Sequence, residues 1–175
     1  MSDGTRRRRF ERLFDDTYDR VLAFALRRTD ADAAQDVAAE TFTIAWRRLD
    51  VVPEDDPIGW LLAVARNVLS HQHRSTGRRA ALDEGMRVHA HAPSGDPAED
   101  VADLDALGHA FAALGERDRE VLRLVAWDGL EARQTAEVLA VSVGTFQVRL
   151  HRARKRLERE LERMGDDVTM AGDAR

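Results

Sequence analysis

Between Thr145 and Arg156 the chain carries Arg149, Arg152, Arg154, Lys155 and Arg156, five cationic side chains with no acid among them. Positive charge at that density suits polyanion chemistry. Guanidinium and ammonium groups donate to phosphate oxygens, and an arginine fork matches the two acceptors on a guanine edge. At about 100° per residue the segment sorts into faces. Phe146, Leu150, Ala153, Leu157 and Leu161 form an apolar stripe. Opposite stand Thr145, Val148, His151, Arg152 and Lys155, flanked by Gln147, Arg149, Arg154 and Arg156. In a major groove, residues near a helix start reach base edges and later cations meet phosphates. This geometry assigns Gln147, Val148, His151 and Arg152 to bases, and Arg149, Lys155 and Arg156 to the backbone. Ser142 is a good N-cap, and Gly144 and Thr145 keep the first turn small enough for its N–H groups to approach a phosphate. Glu158, Glu160 and Glu162 end the cationic run abruptly and bound the patch. An ordinary solvated basic helix is the plain alternative.

Little else in the sequence could do chemistry. His71-x-His73 and His89-x-His91 have a metal-like look, but a helix turns residues two apart to different sides. The chain has no cysteine to complete a familiar zinc set, so surface histidines and no metal are expected. No Ser-His-Asp set, phosphate-cradling glycine loop or paired-carboxylate motif is recognisable. We therefore expect no catalytic residue, no cofactor and no enzyme.

A groove-facing helix needs a partner to hold it. Glu131 to Ala140 reads as a short helix, and only Val141-Ser142 separates it from the cationic one, which fits a helix-turn-helix. Two more short helices precede it: Asp103 to Leu114, and Glu116 to Trp127 with Val121, Leu122, Leu124 and Val125 inward. Asp128-Gly129 then stops the chain. Earlier, Phe10, Leu13, Phe14, Thr17, Val21, Phe24 and Ala25 recur at helical spacing. Asp30 or Asp32 can cap a second helix, with Ala34, Val37, Ala38, Thr41, Ile44 and Ala45 inward. Asp50 to Pro57, with two prolines and four acids, is a loop. A third helix follows with Leu61, Val64, Ala65, Val68 and Leu69 on one side.

Composition agrees: 43% hydrophobic, 34% charged and 6% aromatic residues suit amphipathic helices with wet outer faces. The expected fold is all-α, with two small helical domains at residues 1–75 and 103–164. An acidic flexible linker at 76–102 joins them, and 165–175 is a disordered tail. If flexible, such a linker reaches roughly 25–30 Å. Spread evenly, the net charge of −5 would oppose a nucleic-acid partner, but it is local. Residues 80–110 hold one basic residue against seven acids, whereas 111–164 hold eleven against nine. No apolar run approaches the ~18–20 residues of a membrane span, and no apolar stretch follows the arginines at 6–9, so a cytoplasmic protein without membrane insertion is expected.

Ala113-Leu-Gly-Glu-Arg-Asp-Arg-Glu-Val-Leu-Arg-Leu, then Trp127-Asp-Gly-Leu, Val143-Gly-Thr-Phe and His151-Arg-Ala-Arg154, resemble the promoter-reading C-terminal domain of the sigma-70 family's extracytoplasmic-function group. Asp36-Val-Ala-Ala-Glu-Thr-Phe-Thr-Ile-Ala-Trp46 and Gly59-Trp-Leu-Leu-Ala-Val-Ala-Arg-Asn67 resemble its N-terminal domain. The resemblance implies a sigma factor that binds core RNA polymerase and promoter DNA and assists melting. An anti-sigma factor is a further partner it suggests. It implies that Asp36, Glu40, Phe42 and Trp46 dock on polymerase. Trp60, Arg66, Asn67, His71 and Arg74 would engage the −10-type element, with the Asp50–Pro57 loop forming part of a pocket for an unstacked base. The helix-turn-helix would read the −35-type element. Stacking and hydrogen-bonding residues such as Trp60 and Asn67 suit a flipped base, although Trp60 fits a core position equally and Phe42 fits one better. Ala39 stands where the family often has glutamine, and Gln147-Val148 replaces a frequent basic-serine pair, so the preferred DNA sequence does not transfer. Alternatives are a helix-turn-helix regulator acting without polymerase, which leaves the first half unexplained, and a structural adaptor.

Overall fold

Every regular element in the computed structural model is helical among the described residues, which are 3–80 and 101–173, with side chains over 3–72 and 106–163. The helices are α1 (Asp3–Leu26), α2 (Ala31–Arg47), α3 (Ile58–Ala80), α4 (Val101–Ala113), α5 (Glu116–Ala126), α6 (Ala132–Val138) and α7 (Val143–Asp173). A 3₁₀ turn, Leu49–Val51, lies between α2 and α3. Two compact units result, the first containing α1–α3 and the second α4, α5, α7 and most of α6. No described helix is long and apolar enough to cross a membrane.

In the first unit the three amphipathic stripes close on one another. Leu13, Val21, Phe24 and Ala25 of α1 are buried, as are Ala34, Val37, Ala38 and Ala45 of α2 and Leu61, Leu62, Ala65, Val68 and Leu69 of α3. Removing such surfaces from water is the main stabilising term. Thr41 is fully buried, and its hydroxyl donates to the Val37 carbonyl at 2.7 Å, so no polar group is orphaned there. Asp30, rather than Asp32, caps α2 by accepting from the Ala33 N–H at 2.9 Å.

In the second unit Leu114, Leu122 and Ala153 form a core, with Phe111, Leu150 and Leu157 packed against it. Gly129 turns the chain after α5 with φ of 62°, a left-handed conformation that glycine adopts at little cost. Residue 140 does the same job without glycine. The Val141 N–H donates to the Ala136 carbonyl and the Ala140 N–H to the Glu137 carbonyl, each at 3.0 Å. This is the Schellman ending of a helix, with Ala140 at φ 53° in the left-handed position. Ala140→Gly is therefore expected to stabilise the chain by about 0.5–1 kcal/mol, as a raised midpoint in thermal unfolding followed by circular dichroism.

Two expected boundaries differ. Residues 76–80 of the expected linker extend α3, and residues 101–102 begin α4; 81–100 lie outside the described residues. The expected disordered tail is helical through Asp173. Gly77 in α3 and Gly165 in α7 do not end their helices, because a helical glycine costs only about 1 kcal/mol relative to alanine.

Candidate nucleic-acid interface

The turn into α7 is built from local hydrogen bonds. The Glu131 N–H donates to the Gln134 side chain at 3.0 Å, one half of a capping box at the start of α6. Thr135 is fully buried and bonds the Glu131 carbonyl at 2.9 Å. After the Ala140 reversal, Ser142 Oγ accepts from the Thr145 N–H at 3.2 Å and lies 2.9 Å from the Thr145 hydroxyl. Ser142 is thus the N-cap that its type and position suggested. The cap and Phe146, buried to 2% exposure, fix where α7 begins and how it is rotated.

That rotation decides which side chains face water. Ala153 is buried, and Leu150, Leu157 and Leu161 are half-buried. Ser142, Gly144, Thr145, Gln147, Val148, Arg149, His151, Arg152, Lys155 and Arg156 are all exposed. The apolar stripe and the cationic edge fall on opposite sides, as the periodicity required. Val148, at 49% exposure, presents an aliphatic surface among polar neighbours, of the kind that meets a thymine methyl.

Arg156 differs from the other cations. Its guanidinium pairs with Asp118 of α5, whose side chain is largely buried. It therefore ties α7 to α5 and is less available to phosphate than Arg149 or Lys155. Nothing local in the sequence signalled this, because Asp118 lies 38 positions away. Arg119 and Arg123 share Glu116 in a neighbouring network, at 2.8 and 2.9 Å.

In the first unit Asp36 and Glu40 share an exposed face of α2, one helical turn apart. Trp46 is partly exposed and stacks edge-on against Phe10, with ring centres 5.1 Å apart. Phe42 does not belong with them. It is 4% exposed, within 4.8 Å of the Phe14 ring and 6.0 Å of the Tyr18 ring, so it braces α2 against α1 and is not free to meet a partner. An aromatic ring gains more by burial among others than on a wet face.

On α3 helical geometry places Trp60, Asn67 and His71 on one side. Asn67 and His71 are exposed and Trp60 is half-buried, a compromise between the two roles considered for it. Arg66 points elsewhere, is half-buried and is already engaged within the protein. Arg74 continues α3, but its side chain lies outside the described residues, as do those of His73, His89 and His91. Among the described residues no cluster of histidines and acids could hold a metal ion. The α2–α3 turn contains a feature that sequence reasoning missed: Arg6 and Arg9 of α1 reach across to it, through hydrogen bonds spanning 40 and 43 positions.

Comparison with known proteins covers both units. Residues 13–79 match Sigma-70 region 2, and residues 104–157 match Sigma-70, region 4. The chain is 31% identical over 159 residues to the ECF RNA polymerase sigma factor SigL of Mycobacterium tuberculosis, spanning 87% of this chain and 89% of that protein. It is 33% identical over 150 residues to the probable RNA polymerase sigma factor RfaY of Xanthomonas campestris pv. campestris, spanning 81% of this chain but 37% of that longer protein. Among solved structures, sigma factor RpoE from Bartonella quintana, in complex with the anti-sigma factor NepR, superposes with a TM-score of 0.65 at 26% identity, covering 87% of this chain and 96% of that one. The match at residues 13–79 removes the alternative of a regulator confined to the helix-turn-helix half. With both regions present in order on two helical units, the chain belongs to the extracytoplasmic-function sigma factors of the sigma-70 family, which are transcription-initiation factors and not enzymes.

Proposed function

We propose that this chain acts in the cytoplasm as the specificity subunit of RNA polymerase, with its first unit on the polymerase and the −10-type element and its second on the −35-type element. The observation that carries the second role is the exposed, acid-free edge of α7, held outward by the buried Phe146 and Ala153. Gln147, Val148, His151 and Arg152 would read bases there, and Arg149 and Lys155 would meet phosphates, with Ser142, Gly144 and Thr145 at the helix start close to the backbone. Arg156 contributes mainly by holding α7 on α5. In the first unit Asp36, Glu40 and Trp46 are the exposed candidates for polymerase, and Phe42 supports them from within. Trp60, Asn67 and His71 share the α3 side proposed to face the opened strand, with Arg66 and Arg74 on the same helix.

The similar RpoE was solved in complex with an anti-sigma factor. We extend that kind of partner to this chain, with the partly exposed Phe14 and Trp46 as apolar anchors. Run-off transcription with purified core polymerase over a promoter library tests the central proposal. Promoter-dependent product is expected only when the chain is added. Absence of such product at permissive salt would overturn it.

A further inference from the structure

The α2–α3 turn is strapped from outside by two arginines one helical turn apart on α1. Arg6 Nη2 donates to the Trp46 carbonyl at 2.7 Å, and its Nη1 lies 3.4 Å from Asp50 Oδ2. Its guanidinium stands 5.2 Å from the centre of the Trp46 ring. Arg9 Nη2 donates to the Val52 carbonyl at 2.7 Å, and its Nε lies 3.2 Å from Glu54 Oε1. The Trp46 carbonyl is one of the last of α2 and has no acceptor role within the helix ladder. The Val52 carbonyl belongs to a turn without one. The strap therefore reaches backbone at both ends of the 3₁₀ turn, while Leu49 and Val52 anchor it from the inside at 0% and 3% exposure.

Seating of the two arginines is unequal to that of their acidic partners. The Arg9 side chain is 17% exposed and Glu54 is 72% exposed, so the guanidinium is fixed in the protein and the carboxylate is held at its rim. Charge adds a second consequence. Asp50, Glu54, Asp55 and Asp56 put four acids on a short turn. A phosphodiester strand brought to it would be repelled. Arg6 and Arg9 stand against two of the four.

We infer that Arg6 and Arg9 are positioning residues for promoter opening. They preset the Asp50–Pro57 turn in the shape that receives an unstacked base, and they offset enough of its acidity for the strand to approach. Extracting a base from the stack is itself costly, and a turn that also had to be ordered would add to that cost. The inference rests on the −10-type role proposed above for the first unit, in which the family resemblance gives the Asp50–Pro57 loop part of a pocket for an unstacked base.

The experiment uses holoenzyme assembled from core polymerase and the full chain, on a promoter carrying 2-aminopurine in the −10-type element. Its fluorescence rise reports base unstacking. Affinity for core and for an upstream-element duplex is measured separately by anisotropy. Arg6→Gln and Arg9→Gln are each expected to slow unstacking about tenfold, while both affinities stay within about twofold. Arg9→Lys keeps the charge but loses the fork, and is expected to fall between wild type and Arg9→Gln. Unstacking at the wild-type rate in the doubly substituted chain would overturn the inference. So would an equal fall in core affinity and unstacking, which is what a strap serving only the fold would give. Should the doubly substituted chain lose helical circular dichroism, Arg9→Lys decides: slowed unstacking with intact helicity supports the inference, and an unchanged rate overturns it. A wild-type holoenzyme that opens no promoter would overturn the proposed function first, and this inference with it.

Discussion

Arg152→Ala is expected to lower discrimination among upstream-element sequences by about 1–3 kcal/mol, roughly 5- to 150-fold in relative affinity, while leaving affinity for core polymerase unchanged. The expectation follows from placement. Arg152 lies on the exposed edge of α7, opposite the stripe that holds the helix in the unit. It has the fork geometry for two acceptors on one base edge, and no described salt bridge takes it elsewhere. Alanine is a good helix former, so the substitution removes the reader without disturbing the scaffold. Arg149→Ala and Lys155→Ala should behave differently. Each is expected to weaken all duplexes alike and to reduce the salt dependence of binding by a slope of about 0.9. Competition titrations over a set of single-base variants, repeated at several salt concentrations, separate the two behaviours. Equal loss of core and DNA affinity in Arg152→Ala would mean that its side chain serves the fold.

Phe146→Ala is expected to remove the second unit from service altogether. Truncating a buried phenylalanine costs about 3–5 kcal/mol, because both burial and packing are lost. A module of this size has about 3–5 kcal/mol of stability to lose. Phe146 also sits in the first turn of α7, next to the Ser142 cap, so its loss loosens the rotation that points Arg152 and His151 outward. Duplex binding should vanish at all salt concentrations, not merely shift. The first unit has its own core in α1–α3 and should keep its fold and its grip on polymerase. Heteronuclear NMR of the variant checks this: dispersed signals retained for residues of α1–α3 and collapsed for α5–α7. Retained dispersion throughout would show that the site collapses around the smaller side chain.

The exposed cationic edge of α7 was legible in the sequence because everything it needs is local. A 3.6-residue period, a small polar cap and an uninterrupted cationic run determine which side is buried and which is exposed, and the observed burial follows that division. The same holds for the stripes of α1, α2 and α3. Phe42 shows where locality ends. Its position on α2 fitted both a docking face and a core, and only the crossing of α1 over α2, which brings Phe14 and Tyr18 to it, settled the matter. Ala140 shows another limit. A left-handed residue is recognised in sequence when it is glycine, and here the helix ending forces the conformation on alanine.

The sequence by itself determined the helical class, the two-unit order, the family and the cationic edge, because these rest on residue type and short-range period. Only the tertiary structure decided that Arg156 is tied to Asp118, that Phe42 is interior, and that Arg6 and Arg9 strap a turn some forty residues away. Those contacts depend on how packed helices cross. Side-chain volumes and interhelical angles set that crossing, and no periodicity along the chain records it.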